Sequence, residues 1–461
     1  MARTKSWLLI HILKMSNSEI SPSTAWKQWE IDIFRFTFLF IILLSFPLLD
    51  YKFYTTLFST EINVRSILDL TKYLPQYITE IALPKWGIGS FANWGVSTIV
   101  AIILATVWRF YDKNKREYNK LYYWLRVIVR YRLAIGLIAY GFVKFFPLQV
   151  PYPSLSNLHT NYGDFYAWKI YYHTLGIVPK YESFLGFVEI AASVLLVFRK
   201  TSTIGAGIII GFLGNVVIVN FAYDIGDHVY SSYLLLLALL VFAYDAPRLY
   251  SLLIKQQKTL ANKYIPLLSS KTKHVRTILK VAFALFALTF GLLAFRNYTG
   301  NPYLLPKNPG LSGAYGFYDV KHFVFNGDTI PYSLTDPNRW QNVVFEKWST
   351  LSLKIARPIK IDPTNGDEWH DNDLDRNYEL AGTGGRHYFS YSADTVNHTL
   401  HLKNKNKYYK AEKLELSYSF PNDSTIILSG YTEKKDTIYA LLERINKRYM
   451  LFEGRRKPVK L

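Results

Sequence analysis

The chain has 461 residues, 50% of them hydrophobic, and its 54 Lys+Arg against 34 Asp+Glu give a formal charge of +20. With 0 cysteines it excludes a thiol nucleophile, a CxxC redox pair, a thiolate metal site and any disulfide. The basic residues crowd beside long apolar runs, where the positive-inside bias and anionic lipid account for them, so nucleic acid is not an expected partner.

Residues 1–30 read as a cytoplasmic N-terminal segment. Its apolar stretch at 7–13 is short, is broken by Lys14 and lacks a small-residue cleavage site, so no cleaved signal peptide is expected. Met15 is an alternative start.

Apolar runs at 33–49, 94–110, 132–146, 183–198, 204–221, 230–244 and 278–295 predict an all-α bundle of about seven transmembrane helices. The loops between them alternate in charge. Lys113, Lys115, Arg116, Lys120, Arg126 and Arg130 follow the second run, Arg199 and Lys200 the fourth, and Arg248, Lys255, Lys258, Lys263, Lys271, Lys273 and Arg276 the sixth. These loops are expected to be cytoplasmic. The loops after the first and fifth runs are balanced or acidic and belong outside. The organisation expected is a transmembrane hairpin with an external loop at 31–130, a four-helix core at 131–250, a basic loop with the last transmembrane helix at 251–296, and an extracytoplasmic β-rich domain at 297–461.

In that last region short alternating pieces at 322–325, 342–346, 350–355, 388–391, 399–402, 414–419, 425–428 and 439–442 are separated by turn signals such as Asn326-Gly327 and Pro421-Asn422-Asp423. They predict an antiparallel all-β sandwich or barrel of about eight strands. The acidic run Asp371, Asp373 and Asp375 resembles the start of a calcium loop. Arg376 stands where the sharp turn needs Gly and no Glu closes the loop, so a solvated acidic loop is expected.

Ionisable and amide groups inside apolar runs are costly, and their positions are informative. Lys144, Glu189, Asn215 and Asn220 fall in the outer halves of three successive runs, and Asp224, Asp227 and His228 follow at the entrance of the next. Lys144, Glu189, Asn215, Asn220, Asp224 and His228 are the candidate ligand-binding cluster. Lys144 with Glu189 forms an expected charged pair that either handles a ligand or locks the bundle. Gly207 and Gly211, with Gly136 and Gly186, are candidate points of close helix approach. His159 and His173 lie in the outer loop after the third run, but no histidine pair has the i, i+4 spacing of a helical metal site, and no metal is expected. No nucleophile elbow, P-loop or dinucleotide fingerprint occurs.

Between Arg130 and Leu249 the chain resembles the DoxX-like family of bacterial membrane proteins. The resemblance rests on Arg130-Tyr131, Tyr140-Gly141 with Lys144, Gln149 with Pro151, Gly163-Asp164, Phe184 with Gly186 and Glu189, and Arg199 with Gly205-Ala206. It continues through Asn220 with Tyr223-Asp224 and Asp245 before Arg248-Leu249. The chain is similar to long members with extra N-terminal helices and an extracytoplasmic C-terminal domain. Similar proteins follow Tyr-Asp with an apolar-Pro-apolar-Lys segment; here Ile225-Gly226-Asp227-His228 puts an acid and a histidine there.

The resemblance implies a bacterial inner-membrane protein, with the bilayer and an extracytoplasmic or redox protein as partners. It is named for a subunit of a thiosulfate:quinone oxidoreductase, which makes a quinone the cofactor class to test. The expected function is a partner-dependent subunit of a membrane redox or envelope complex. An autonomous enzyme using Lys144 and Glu189 as acid–base groups, and a transporter or scaffold, are the rival classes.

Overall fold

The computed structural model describes residues 26–48, 51–58, 63–78, 87–112, 117–260, 264, 266, 270–300, 306–362, 374, 376–454 and 456. The alternative start and the aspartates of the calcium-like loop lie outside these residues. Among the described residues the secondary structure up to residue 300 is helical, and an antiparallel β-domain follows.

Among the helices are α1 (Gln28–Ser45), α2 (Val64–Thr71), α3 (Ala92–Tyr111), α4 (Asn119–Phe145), α5 (Leu155–Leu158), α6 (Ala167–Gly176), α7 (Pro179–Val197), α8 (Ser202–Ala222), α9 (His228–Ala243), α10 (Ala246–Leu253) and α11 (Ser270–Gly300). Pro147 stands just past the end of α4, and Pro179 opens α7 at the position where a missing N–H costs nothing. Leu133, Leu137, Ala192, Leu196, Ile209, Tyr233 and Leu237 form the centre of the bundle core. Phe290 and Ala294 of α11 join Val64, Leu68, Ala139 and Val143 in a second cluster.

Among the described residues three helices are long and apolar enough to cross a membrane: Ile88–Tyr111, Ser202–Ala222 and His274–Gly300. The α9–α10 pair, bent by 63°, makes a fourth if it is one span. This is fewer than the seven or so expected. The reason is charge within the remaining helices. α1 holds Glu30, Asp32 and Arg35, and α7 holds Lys180, Glu182 and Glu189. Several of these charges are satisfied inside the bundle. Arg35 is 2% exposed, donates to the Tyr118 hydroxyl and the Asp112 carbonyl, and pairs with Asp32 at 3.2 Å.

The strands are β1 (Gly316–Phe325), β2 (Asn342–Phe345), β3 (Thr350–Lys354), β4 (His387–Asp394), β5 (Thr399–Asn404), β6 (Lys413–Asn422), β7 (Thr425–Thr432) and β8 (Thr437–Arg444). Each pairs antiparallel with the next, and β1 pairs with β8, closing an eight-stranded barrel. Asn326 and Gly327 take φ of 52° and 87°, the turn their sequence predicts, and lead into the short edge piece Asp328–Thr329. Alternate residues point inward: Leu414, Leu416 and Tyr418 on β6, Ile426 and Leu428 on β7, Ile438, Ala440 and Leu442 on β8. With Phe323, Phe345 and Phe389 they fill the interior, so the barrel is a packed core rather than a channel.

β3 and β4 are buried on both faces for most of their length. Their outer face is covered by the segment between α4 and α7, which therefore joins the barrel to the bundle. α4 spans about 40 Å at the usual helical rise. It starts in the basic 112–130 region and ends at this joining segment.

Candidate functional site

Four helices each turn one face toward a shared cavity of about 140 Å³. α4 contributes Leu137, Tyr140 and Lys144, and α7 contributes Tyr181, Leu185 and Glu189. α8 contributes Phe212, Asn215, Val216, Val219 and Asn220, and α9 contributes Tyr230, Ser231 and Leu234. Steps of three and four residues keep each set on one helical face. Gln149, Val150, Tyr171, Tyr172 and Leu175 of the joining segment close the end nearer the barrel.

Two glycines let α7 and α9 close on α4 around the cavity. A Cβ on Gly186 would stand 2.3 Å from the Phe145 nitrogen and 2.4 Å from the Gly141 oxygen. Gly136 likewise leaves room for the Tyr230 hydroxyl, 2.7 Å from where its Cβ would be. The expected Gly207/Gly211 face is not a close approach: Gly207 meets Phe242 at 3.5 Å, and nothing lies within 4 Å at Gly211.

Lys144 Nζ donates to Glu189 Oε1 at 2.6 Å. Glu189 is 2% exposed, and its Oε2 makes no hydrogen bond among the described residues. The ammonium also lies 5.5 Å from the Phe212 ring centre and 5.6 Å from that of Tyr140. The Tyr140 hydroxyl donates to Asp227 at 3.1 Å, and Lys72 reaches the same carboxylate at 3.6 Å. Asn220 donates to Ser231 Oγ at 2.9 Å, and the Tyr230 hydroxyl donates to the Thr71 carbonyl at 2.8 Å.

Of the six predicted residues, Lys144, Glu189, Asn215 and Asn220 line the cavity. Asp224 and His228 do not. Asp224 sits exposed in the α8–α9 turn with φ of 52°. His228 is buried against Phe91 and Phe221 and its Nε2 meets Ser90 Oγ at 2.8 Å. Of the two aspartates in the α8–α9 turn, Asp227 is the one that lines the cavity. Sequence reasoning passed over Tyr140 and Tyr230. Tyr140 had a signal, since it stands one turn before Lys144. Among the described residues no group of three or more His, Asp or Glu side chains is placed to hold a metal.

Chemically, the cavity offers apolar walls, tyrosine rings, the amides of Gln149, Asn215 and Asn220, and one acceptor oxygen beside a fixed cation. A cavity of about 150 Å³ holds a single six-membered aromatic ring. A ring headgroup with an apolar tail matches this volume and lining.

The cavity lid is also the barrel dock. Tyr172 lines the cavity and packs with Trp168, Tyr378 and Ala381 in one cluster. Glu346 accepts from the backbone N–H groups of Leu155 and Ser156 at 3.1 and 2.7 Å. Ser352 donates to Ser156 Oγ at 2.8 Å, and Arg386 donates to Asn342 at 2.6 Å and Ser352 Oγ at 2.9 Å. Lys169 is fully buried, donates to the Tyr378 carbonyl and lies 3.7 Å from that ring's centre. Burial holds its pKa well below the usual lysine range. Burial, then the Lys169 charge, lowers His173 to about 3. Burial, then the charges of Lys447 and Arg386, lowers His159 to about 3.

No family model matches the chain, and no solved structure matches it. A stretch of 79 residues, 17% of the chain, is 35% identical to the uncharacterized protein YwoB of Bacillus subtilis (strain 168). The match spans about half the length of that relative, 49%.

Proposed function

We propose that the helical region lies in a bacterial inner membrane and binds the ring headgroup of a lipophilic molecule, a quinone being the cofactor class to test first. In this reading the chain is a DoxX-like, partner-dependent subunit of a membrane redox or envelope complex. The observation that carries it is the Lys144–Glu189 pair, whose second carboxylate oxygen is unpartnered beside a mostly apolar, one-ring cavity. A buried acceptor without a donor is costly, and a ligand hydroxyl or water-borne donor would relieve that cost. The segments that resemble the DoxX-like family supply α4, α7, α8 and α9, the helices around the cavity.

Orientation follows from charge. The basic stretches lie at the end of α4 away from the barrel, so the positive-inside rule makes that end cytoplasmic and the barrel periplasmic. The barrel is then the surface for an extracytoplasmic partner, and Tyr172 and the lid connect that surface to the cavity. The acid–base enzyme is the second reading, because Lys144 and Glu189 border one cavity. Their direct pairing at 2.6 Å favours a binding role over proton transfer to substrate.

The test is native mass spectrometry of protein gently solubilised from its own membrane, with organic extraction of what stays bound. A stoichiometric quinone or redox subunit, lost in Glu189→Gln, supports the reading. A lone protein with bulk lipid only overturns it.

A further inference from the structure

A second polar cluster lies at the other end of the bundle, far along α4 from the cavity. Arg130 is 7% exposed, has no ion-pair or hydrogen-bond partner among the described residues, and its Nε is buried and unpaired. The neighbouring Tyr131 hydroxyl is also buried and unpaired. One turn earlier, Arg126 stacks on the Tyr244 ring at 3.2 Å, so its guanidinium is occupied. The charged groups acting most strongly on Arg130 are Arg126 and Arg199, and those acting on Tyr131 are Arg130 and Arg276; none is acidic.

Three elements meet here. Tyr131 on α4 packs against Phe283 on α11 with ring centres 6.0 Å apart. Lys280 on α11 lies 4.9 Å from the ring of Phe198, the residue before Arg199. Arg130, Arg199, Arg276 and Lys280 thus gather around the α7–α8 turn; the carboxylate there, Asp245, accepts from Thr203 and acts on Arg126, and among the described residues none of the four cations has an ion-pair partner. A buried guanidinium without a counter-charge is strongly unfavourable, and its planar fork suits a phosphate. Beside the cations, Phe198, Ile204, Ile278 and Val281 are exposed apolar side chains on the outer surface.

We propose that this cluster is a binding site for the phosphate of an anionic phospholipid. Arg130 supplies the buried fork, and Arg199, Arg276 and Lys280 supply the rim. The Tyr131 hydroxyl adds a donor, and Phe198, Ile204 and Ile278 carry the acyl chains. The apolar strip is what distinguishes a lipid from a free phosphate. Basic pockets between helices at the cytoplasmic face are a common form of headgroup recognition.

The test places full-length protein in nanodiscs of equal phosphatidylglycerol and phosphatidylcholine and counts retained lipid by native mass spectrometry. Wild type should retain one phosphatidylglycerol in preference to phosphatidylcholine. Arg130→Gln should lower that preference about fivefold, the ratio set by the loss of one basic contact to an anionic surface. Arg199→Gln/Arg276→Gln removes exposed charges with little effect on folding, and should lower it further. Lys255→Gln/Lys258→Gln, in the exposed basic loop, should retain it. Equal retention of the two lipids, or unchanged preference in both cluster variants, overturns the proposal. Inorganic phosphate that displaces the lipid and binds wild type but not Arg130→Gln overturns the lipid assignment and leaves a free-anion site.

Discussion

Lys144 Nζ stands 2.6 Å from Glu189 Oε1 across the contact where Gly141 and Gly186 let the α4 and α7 backbones meet. Each charged residue follows its glycine by three positions, so the close approach and the buried pair are one construction. The glycines bring the helix axes together, and the ion pair makes that proximity tolerable for two charges inside apolar surroundings.

Gly186→Ala should therefore be destabilising. Its Cβ would fall 2.3 Å from a backbone nitrogen and 2.4 Å from a backbone oxygen, neither of which can yield as a side-chain tip would. A loss of about 1–3 kcal/mol is expected, the cost of overpacking. Gly211→Ala meets nothing within 4 Å and should be tolerated. Thermal unfolding in detergent compares the two directly; equal effects would show that the α4–α7 contact is not tight.

Lys144→Met should leave Glu189 buried and uncompensated, a loss of about 3–5 kcal/mol. Glu189→Gln keeps the shape and a hydrogen-bonding head, so accumulation should hold while ligand retention falls. The double variant Lys144→Met/Glu189→Met should recover stability and still fail to retain ligand. Loss of accumulation in Glu189→Gln would assign the pair to packing.

The barrel dock should weaken in acid. His159 is stacked on Phe317 with ring centres 3.6 Å apart, and its Nε2 meets the Tyr449 hydroxyl. Its pKa falls from 6.5 in the unfolded chain to about 3 in the fold, and His173 shifts the same way. Folding thus favours neutral imidazole. The stability this supplies is complete above the unfolded value and drains as pH falls from 6.5 toward about 3. Limited proteolysis of the 151–178 segment across that range should show increasing cleavage. His159→Gln should flatten the dependence, and an unchanged slope would remove His159 from the dock.

The absence of native cysteine makes the orientation directly measurable. Val396→Cys lies at an exposed barrel turn and Lys258→Cys in the exposed basic stretch. An impermeant maleimide should label the first in intact spheroplasts and the second only after lysis. Labelling of both from one side refutes the proposed orientation.

All eight strands were legible because alternation is local. The piece 414–419 already shows the period of two that Lys413–Asn422 displays. Closure was not legible: Val320 pairs with Leu442 across 122 residues, and no turn signal encodes that. The number of spans was overestimated because apolar runs in α1 and α7 resemble membrane segments until their flanking charges are placed. The dock was invisible for a similar reason. Glu346 caps α5 across about 190 residues, and a carboxylate in a β-rich stretch carries no mark of the helix it serves.

The sequence by itself determined the local periods: which stretches become helices, which become strands, and the shared depth of Lys144, Glu189, Asn215 and Asn220. Tertiary structure decided azimuth and closure. A helix that is apolar all round has no preferred face, so its rotation is set by contacts such as Gly186 on Phe145 rather than by its own pattern. That rotation turns Asp227 toward the cavity and His228 toward Ser90. Neighbours in sequence thereby fall on opposite sides of one wall.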